Sequence, residues 1–182
     1  MNQYLIEEGI KLVLQGLECD LRDPNFEETP QRFARAMRQI FLPQKEQTWN
    51  DFEETYNDLI LLRGHRLYTL CPHHLLPVRL DVSIAYIPNG RVIGLSKLAR
   101  VMHEVNRAPL LQEKFTYEVL DLLLQLTGAV SGACLVAGEH GCMRIRGVRT
   151  DGDVITTRYV GLFNEPDRQT QFLRLIAMNG KH

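Results

Sequence analysis

This 182-residue sequence has no long apolar run and no large excess of positive or negative charge. No uninterrupted apolar stretch approaches the ~20 residues that a membrane-spanning helix needs. Glu7, Glu8 and Lys11 interrupt the apolar pattern at the N-terminus, where a signal peptide would be unbroken. The net charge of -1 argues against a general nucleic-acid or membrane-surface binder. We therefore expect a cytoplasmic protein that binds neither nucleic acid nor membrane.

Cysteine is scarce, and the glycine-rich loops that bind phosphate are absent. The sequence has four cysteines and no CxxC pair, which argues against a zinc finger. In a reducing compartment these cysteines are expected to be core residues or metal ligands rather than disulfides. Neither the P-loop spacing nor the dinucleotide fingerprint occurs, so a phosphorylated ligand would have to be held by side chains.

The first part of the chain has helical periodicity. No repeat or clear linker interrupts the sequence, so we predict a single domain over 1–182 with an N-terminal helical region over 1–45. Apolar residues of 3–17 fall roughly on one helical face. Thr29 and Pro30 predict the start of a second helix, with Thr29 as N-cap and Pro30 at the first helical position.

From about residue 60 the apolar period becomes two, which indicates strands. Residues 80–86 alternate between apolar and small or polar side chains, and Pro88-Asn89-Gly90 predicts a hairpin turn with 92–95 as the returning partner strand. Further strands are predicted over 132–138, 142–148 and 154–160, and helices over 96–106 (capped by Ser96), 111–126 and 167–178. Short turns between strands, with the helices set apart, predict an α+β fold whose core, 60–178, has a mainly antiparallel sheet.

Two clusters of metal-ligating residues carry the strongest chemical signal. They are Cys71-Pro72-His73-His74 and Glu139-His140-Gly141-Cys142, which together supply two thiolates and three imidazoles. A catalytic zinc uses three protein ligands and leaves a position for water, so two histidines would remain for proton transfer. Either cluster alone is equally well explained as a surface histidine pair or buried filler. Cys19, placed on the first helix, and Cys134, in an apolar strand, are interpreted as core residues.

Basic residues near helix starts form the second signal. Ser96, Lys97 and Arg100 sit at the start of a predicted helix, where unpaired N–H groups favour an anion. Lys97 and Arg100 are three residues apart and share a helical face. Arg146 follows Cys142 in a predicted strand that would point both to one side. Arg32 and Arg35 share a face of the second helix, although any one of these charges taken alone is more typical of a solvated surface.

These segments resemble the type I GTP cyclohydrolase family over about 5–177. The quoted matches, in chain order, are Glu28-Thr29-Pro30-Gln31-Arg32, Cys71-Pro72-His73-His74-Leu75-Leu76-Pro77, Ala85-Tyr86-Ile87-Pro88, Gly94-Leu95-Ser96-Lys97-Leu98-Ala99-Arg100, Gln112-Glu113-Lys114, His140-Gly141-Cys142-Met143-Arg144-Ile145-Arg146-Gly147, Gly161-Leu162-Phe163 and Phe172-Leu173. Four positions depart from the family: Pro72 replaces a glutamate, Leu80 a glycine, Leu110 a glutamine and Ala137 an acidic or polar residue. The resemblance is therefore to a divergent branch.

The resemblance implies a tunnelling fold (T-fold), in which an antiparallel sheet with helices packed on one side assembles into a barrel, and a homodecamer of two pentamers. It also implies site residues, position by position. Cys71, His74 and Cys142 would bind Zn²⁺, and the catalytic residues would be His73, His140 and Ser96. The substrate GTP would be bound by Glu113, Gln112, Lys97, Arg100, Arg146 and, from a neighbouring subunit, Arg32 and Arg35.

The reaction that the resemblance implies is zinc-dependent hydrolysis and rearrangement of GTP. The product would be 7,8-dihydroneopterin triphosphate with release of formate, the first step of pterin and folate, or deazaguanine, biosynthesis. Two alternatives stay open. A T-fold nitrile reductase would need a nucleophilic cysteine and a cofactor site, and a non-catalytic zinc protein that binds nucleotide would have no use for His73 and His140.

Overall fold

The computed structural model describes residues 1–41, 49, 51–54 and 56–178. The chain forms two compact units, Met1–Gln44 and Lys45–His182. The single domain predicted over 1–182 stays a prediction.

The first unit is a pair of packed helices, α1 (Gln3–Gly16) and α2 (Thr29–Phe41). The Asn2 side chain caps α1 by accepting a hydrogen bond from the Leu5 amide at 3.1 Å. The predicted cap of α2 is wrong by one residue, because the Arg32 amide donates to the Glu28 carbonyl and the Thr29 hydroxyl donates instead to the Asn25 carbonyl. Cys19 lies beyond the end of α1 and is only half-buried, so its predicted place on that helix and its predicted place in the core are both wrong.

The second unit alternates strands and helices. Its elements are β1 (Asp51–Glu53), β2 (Ile60–Leu70), β3 (Pro77–Ile87), β4 (Arg91–Ile93), α3 (Leu95–Val105), α4 (Gln112–Thr127), β5 (Ser131–His140), α5 (Gly141–Arg144), β6 (Val154–Val160), a 3₁₀ turn (Gly161–Asn164) and α6 (Pro166–Ala177). Four strands pair in the antiparallel order β2-β3-β5-β6. The predicted α+β fold with a mainly antiparallel sheet is confirmed.

The main core lies between one sheet face and the helices α3 and α4. Alternation along β3 points Val82, Ile84 and Tyr86 to this face, where each is fully buried. Cys134 on β5 faces the same core, as predicted. The structure adds a smaller cluster on the opposite face, where Phe172 of α6 packs over Ala85.

The predicted hairpin after β3 is wrong. β4 pairs with β1 in a separate two-stranded sheet. β3 has no edge to offer a returning strand, because β2 pairs along one side of it and β5 along the other. The Tyr86 hydroxyl instead accepts a hydrogen bond from the Ile93 amide at 3.1 Å, which ties the departing chain to the core.

Two further local predictions are corrected by backbone geometry. Residues 142–148 do not form a strand: Cys142 lies on the short helix α5, and Gly147 and Arg149 have positive φ angles of 63° and 51°. Such angles interrupt an extended chain. Gly94 rather than Ser96 is the N-cap of α3, which begins at Leu95.

None of the helices in the described part of the chain combines the length and hydropathy that a bilayer crossing requires.

Burial makes a testable distinction among the cysteines. Burial raises the pKa of Cys134 to about 12, so the native protein holds almost no Cys134 thiolate at pH 8. We expect a thiol-specific alkylating reagent to modify Cys19, and to leave Cys134 unmodified, when the native protein is treated at pH 8 and digested for mass spectrometry. Denatured protein is the control, in which both must react; equal native rates would contradict the buried position of Cys134.

Candidate metal centre and active site

Three soft ligand atoms converge at one end of the sheet. The Sγ atoms of Cys71 and Cys142 and a ring nitrogen of His74 all lie within 4.8 Å of one another. Cys71 directly follows β2 and is buried, whereas Cys142 lies on α5, directly after β5. Because β3 and β5 are antiparallel, the segment before one strand and the segment after the other meet at the same sheet end.

A tight turn orders the first two ligands. The Cys71 amide donates to the Leu76 carbonyl at 2.9 Å, and the Leu75 amide donates back to the Cys71 carbonyl at 2.8 Å. Leu75 has a φ of 53°, a conformation that costs a non-glycine residue roughly 1–3 kcal/mol and is typical of functional turns. The result places His74 Nδ1 3.7 Å and His73 Nδ1 4.0 Å from the Cys71 sulfur.

The backbone at Gly141 passes close to the backbone at Pro77, and this approach positions the third ligand, Cys142. A Cβ atom added to Gly141 would lie 2.8 Å from the carbonyl oxygen of Pro77, a distance that real side chains do not adopt. Glycine at 141 therefore lets α5 pass the start of β3 and bring Cys142 to the group.

This donor set fits a zinc ion. Two thiolates and one imidazole match the ligands that catalytic zinc takes, with a fourth position left for water. Burial, and then the neighbouring Cys71 sulfur, raises the pKa of the Cys142 thiol. A divalent cation at this point would offset that effect, because the metal stabilises thiolates.

Arg146 lies beside the metal-ligand group, though not for the predicted reason. It follows α5 in an irregular segment, and its Nη1 lies 2.9 Å from Nε2 of His74. An exposed guanidinium is thus available at the edge of the group for an anionic ligand.

His140 is held by one buried amide. Gln112 is 5% exposed, and its Nε2 faces the Val136 and Val154 carbonyls and the Thr156 hydroxyl at 2.8–3.1 Å. Its Oε1 therefore faces His140 Nε2, at 2.8 Å. Because an amide oxygen only accepts, the imidazole hydrogen lies on Nε2 and the lone pair lies on Nδ1.

The charge state of His140 follows from its surroundings. Burial lowers the pKa of His140, while the nearby Glu113 carboxylate opposes that change. The imidazole is therefore mainly neutral at pH 7 and above. A neutral imidazole with a fixed hydrogen can take a proton at Nδ1 and return it.

Glu113 opens on a cavity next to this network. The cavity has a volume of about 250 Å³ and is lined by Glu113, Thr116, Tyr117, Thr156, Thr157 and Arg158. The Thr116 and Thr156 hydroxyls lie 2.6 Å apart, and Thr156 also contacts Gln112. A polar chain thus links the cavity to His140.

The predicted site residues of α3 are Ser96, Lys97 and Arg100, and they differ in their exposure to solvent. Ser96 and Arg100 are exposed, and neither makes a hydrogen bond or ion pair to the metal-ligand group or to the His140–Gln112 pair. Lys97 is only 7% exposed, whereas Arg100, three residues further along α3, is exposed. In the first unit, Arg35 is exposed and Arg32 pairs with Glu28 at 2.8 Å.

Sequence reasoning assigned no supporting role to several polar residues that hold the site together. These are Thr116 and Thr156, which join the cavity to Gln112, and the charged residues Arg79, Glu139 and Arg144. Charged residues inside the otherwise apolar β3, at Arg79 and Asp81, are a visible signal for the second set. Nothing in the sequence marks the threonines.

Comparison with known proteins decides the family. The GTP cyclohydrolase I family profile matches residues 6–177. The chain belongs to the GTP cyclohydrolase I family. A GTP cyclohydrolase 1 of Clostridium perfringens (strain 13 / Type A) is 41% identical over 184 residues, which cover 98% of this chain and 100% of that relative. One of Streptococcus pneumoniae (strain ATCC 700669 / Spain 23F-1) is 36% identical with the same coverage.

One solved structure is similar to this chain, with a lower sequence identity than the relatives above. The archaeosine synthase QueF-Like in its apo form has a TM-score of 0.46 and 19% sequence identity, and the match covers 57% of this chain and 93% of that chain. The family's tunnelling fold agrees with the helices and antiparallel sheet described above.

Removing one thiolate tests the metal-ligand group. We expect Cys142→Ala to lose bound zinc, because two remaining ligands hold the ion poorly. Elemental analysis of the purified proteins gives zinc per chain, with one expected for the parent. Cys19→Ala is the matched control and is expected to keep the parent zinc content. Full zinc occupancy in Cys142→Ala would show that this thiolate is not a ligand.

Proposed function

We propose that this protein converts GTP to 7,8-dihydroneopterin triphosphate and formate with the help of a zinc ion. The observation that carries the proposal is the convergence of Cys71, His74 and Cys142 within 4.8 Å in a chain of the GTP cyclohydrolase I family. A zinc ion held there would supply a water of lowered pKa, near 7, for hydrolysis at neutral pH. Proton transfer and substrate binding would be carried out by side chains of the protein.

His140 and His73 are proposed as the proton carriers. His140 takes a proton at Nδ1 and gives it back from the same atom, since its Nε2 hydrogen bonds to Gln112. His73 is exposed beside the same group, with its Nδ1 4.0 Å from the Cys71 sulfur. Two imidazoles near one ligand group suit a reaction with two successive hydrolytic bond cleavages.

Glu113 is proposed to recognise the guanine base. Its carboxylate lines a cavity of about 250 Å³ that is joined through Thr156 and Gln112 to His140. A carboxylate has two acceptor oxygens, which complement the N1 hydrogen and the 2-amino group of guanine. Binding the base there would present its imidazole ring towards His140 and the metal-ligand group.

Gln112 is proposed to orient His140 rather than to bind substrate directly. The resemblance implied a substrate contact, but both ends of the buried amide have partners within the chain. The role that this geometry supports is to keep the hydrogen of His140 on Nε2.

The triphosphate is proposed to meet basic residues from more than one subunit. Arg146 lies at the edge of the metal-ligand group and Arg100 is exposed on α3, so both guanidinium groups are accessible to an anion, whereas Lys97 is only 7% exposed. Arg32 and Arg35 would reach the substrate of a neighbouring chain, and Ser96, which is exposed on α3, is proposed as the third catalytic residue. We place this protein in the cytoplasm, at the first step of pterin or folate, or deazaguanine, synthesis.

An assay with GTP tests this function. We expect the zinc-loaded protein to release one formate per GTP and to form the pterin product, followed by mass spectrometry. The Cys142→Ala variant is the inactive control. Tight zinc and GTP binding with no formate would favour the non-catalytic alternative, and would overturn the proposed reaction.

The role of Glu113 has its own test. Glu113→Gln keeps the size of the side chain but removes a charge-assisted contact, so we expect GTP binding to weaken by about 1.5–3 kcal/mol. Calorimetry of GTP binding measures it. Glu118→Gln on the same helix is the matched control, because Glu118 pairs with the exposed Lys114 at 3.6 Å. Unchanged GTP affinity in Glu113→Gln would rule out its contact with the base.

Assembly is proposed to complete the active site. β2 and β6 end the four-stranded sheet in the described part of the chain, and both can pair with neighbouring copies. We expect a ring-based homo-oligomer, a decamer by family resemblance, and no active monomer. Light scattering with activity measured across the same elution peak tests this. A fully active species of 21.0 kDa would contradict the shared site.

A further inference from the structure

One carboxylate joins the two segments that carry the metal ligands. Glu139, near the end of β5, has a side chain that is 16% exposed, and both of its oxygens are paired. Oε2 lies 2.6 Å from Nη1 of Arg79, and Oε1 pairs with Nη1 of Arg144. We call the group Arg79, Glu139 and Arg144 the Glu139 bridge.

The two arginines belong to different parts of the metal centre. Arg79 lies on β3, directly opposite Glu139 in the strand register, and β3 follows the turn that holds Cys71 and His74. Arg144 lies on α5 with Cys142. The Glu139 bridge therefore connects the strand after the first two ligands to the helix that presents the third.

The helix α5 depends on such contacts because it has four residues. A helix of that length is not stable alone, since nucleation is unfavourable. Arg144 is its main anchor: besides Glu139, it donates to the Asp151 carbonyl at 3.1 Å and lies 3.7 Å from the Asp153 carboxylate. The Thr150 amide donates to the Met143 carbonyl at 3.1 Å and closes the same segment.

The Glu139 bridge differs from an ordinary surface ion pair. Exposed pairs contribute little because water and salt screen them. Here the central carboxylate is largely withdrawn from water, and both of its oxygens are used. Removing its charge would leave two partly buried guanidinium groups, on Arg79 and Arg144, without their common partner.

We propose that Glu139 is a positioning residue for the metal centre, which holds Cys142 beside Cys71 and His74 before an ion binds. Because the ligands are then pre-arranged, less order has to be imposed when zinc enters, and the affinity for zinc rises. The inference rests on the metal centre of the proposed function, and it adds a residue that acts through α5 without touching the ion.

Zinc affinity is the first measurement. Glu139→Gln keeps the shape of the side chain and removes its charge. In the full-length protein we expect its zinc dissociation constant, measured by competition with a chelator, to rise about 10-fold, the lower end of what supporting residues contribute. Glu118→Gln, which removes a half-exposed ion-paired carboxylate on α4, is the matched control and is expected to bind zinc like the parent.

A double-variant cycle separates positioning from general stabilisation. If Glu139 acts through Arg144, then Glu139→Gln combined with Arg144→Gln loses no more zinc affinity than the more severe single variant. Additive losses would overturn the proposed route through α5. Cobalt substitution adds a spectroscopic readout, since the absorption bands of thiolate-bound Co²⁺ should shift in Glu139→Gln and stay unchanged in Glu118→Gln.

A metal-free readout keeps this inference distinct from the proposed function. In the zinc-free protein we expect faster hydrogen exchange at the Thr150 amide of Glu139→Gln, with the amides in the centre of β3 and β5 unaffected. Equal acceleration at all of these amides would indicate general destabilisation and overturn the proposal, as would parent-like exchange and zinc affinity. A parent protein that binds no zinc would refute the proposed function, and with it the role of Glu139 in zinc affinity.

Discussion

The pairing of β3 with β5 is the constraint on which the site depends. Because the strands are antiparallel and Val78 lies opposite His140, the turn before β3 and the helix after β5 meet at one sheet end. Ligands about seventy positions apart in sequence thereby come within 4.8 Å. A slip of this register by one residue would turn the apolar residues of β3 away from the core, so burial of that face fixes the geometry of the ligand group.

Polar groups within the fold then decide the chemistry of individual side chains. Gln112 is buried at the start of α4, where two carbonyls and a hydroxyl orient its amide, and this orientation sets which nitrogen of His140 carries hydrogen. Burial lowers the pKa of His140, and a neutral ring results at pH 7 and above. The site is therefore organised by residues that need not touch a substrate.

Local sequence patterns predicted where the strands and helices lie better than they predicted which strands pair with each other. The apolar period identified β3, β5 and β6 and the helices α3, α4 and α6, because burial of one face imposes that period. It did not identify the partner of β4, since pairing depends on which edges remain open after β2 and β5 have joined β3. The apolar alternation of residues 142–148 predicted a strand, yet the chain forms the helix α5 there and then takes positive φ angles at Gly147 and Arg149.

The sequence by itself determined the α+β class, the family and the set of metal-ligating residue types. These follow from composition, period and motif, which are properties of neighbouring residues along the chain. Only the tertiary structure decided that Lys97 is buried, that Gln112 contacts His140, and that Glu139 joins Arg79 to Arg144. Burial and pairing between distant segments depend on how the sheet and helices pack, and a linear pattern carries no direct record of those distances.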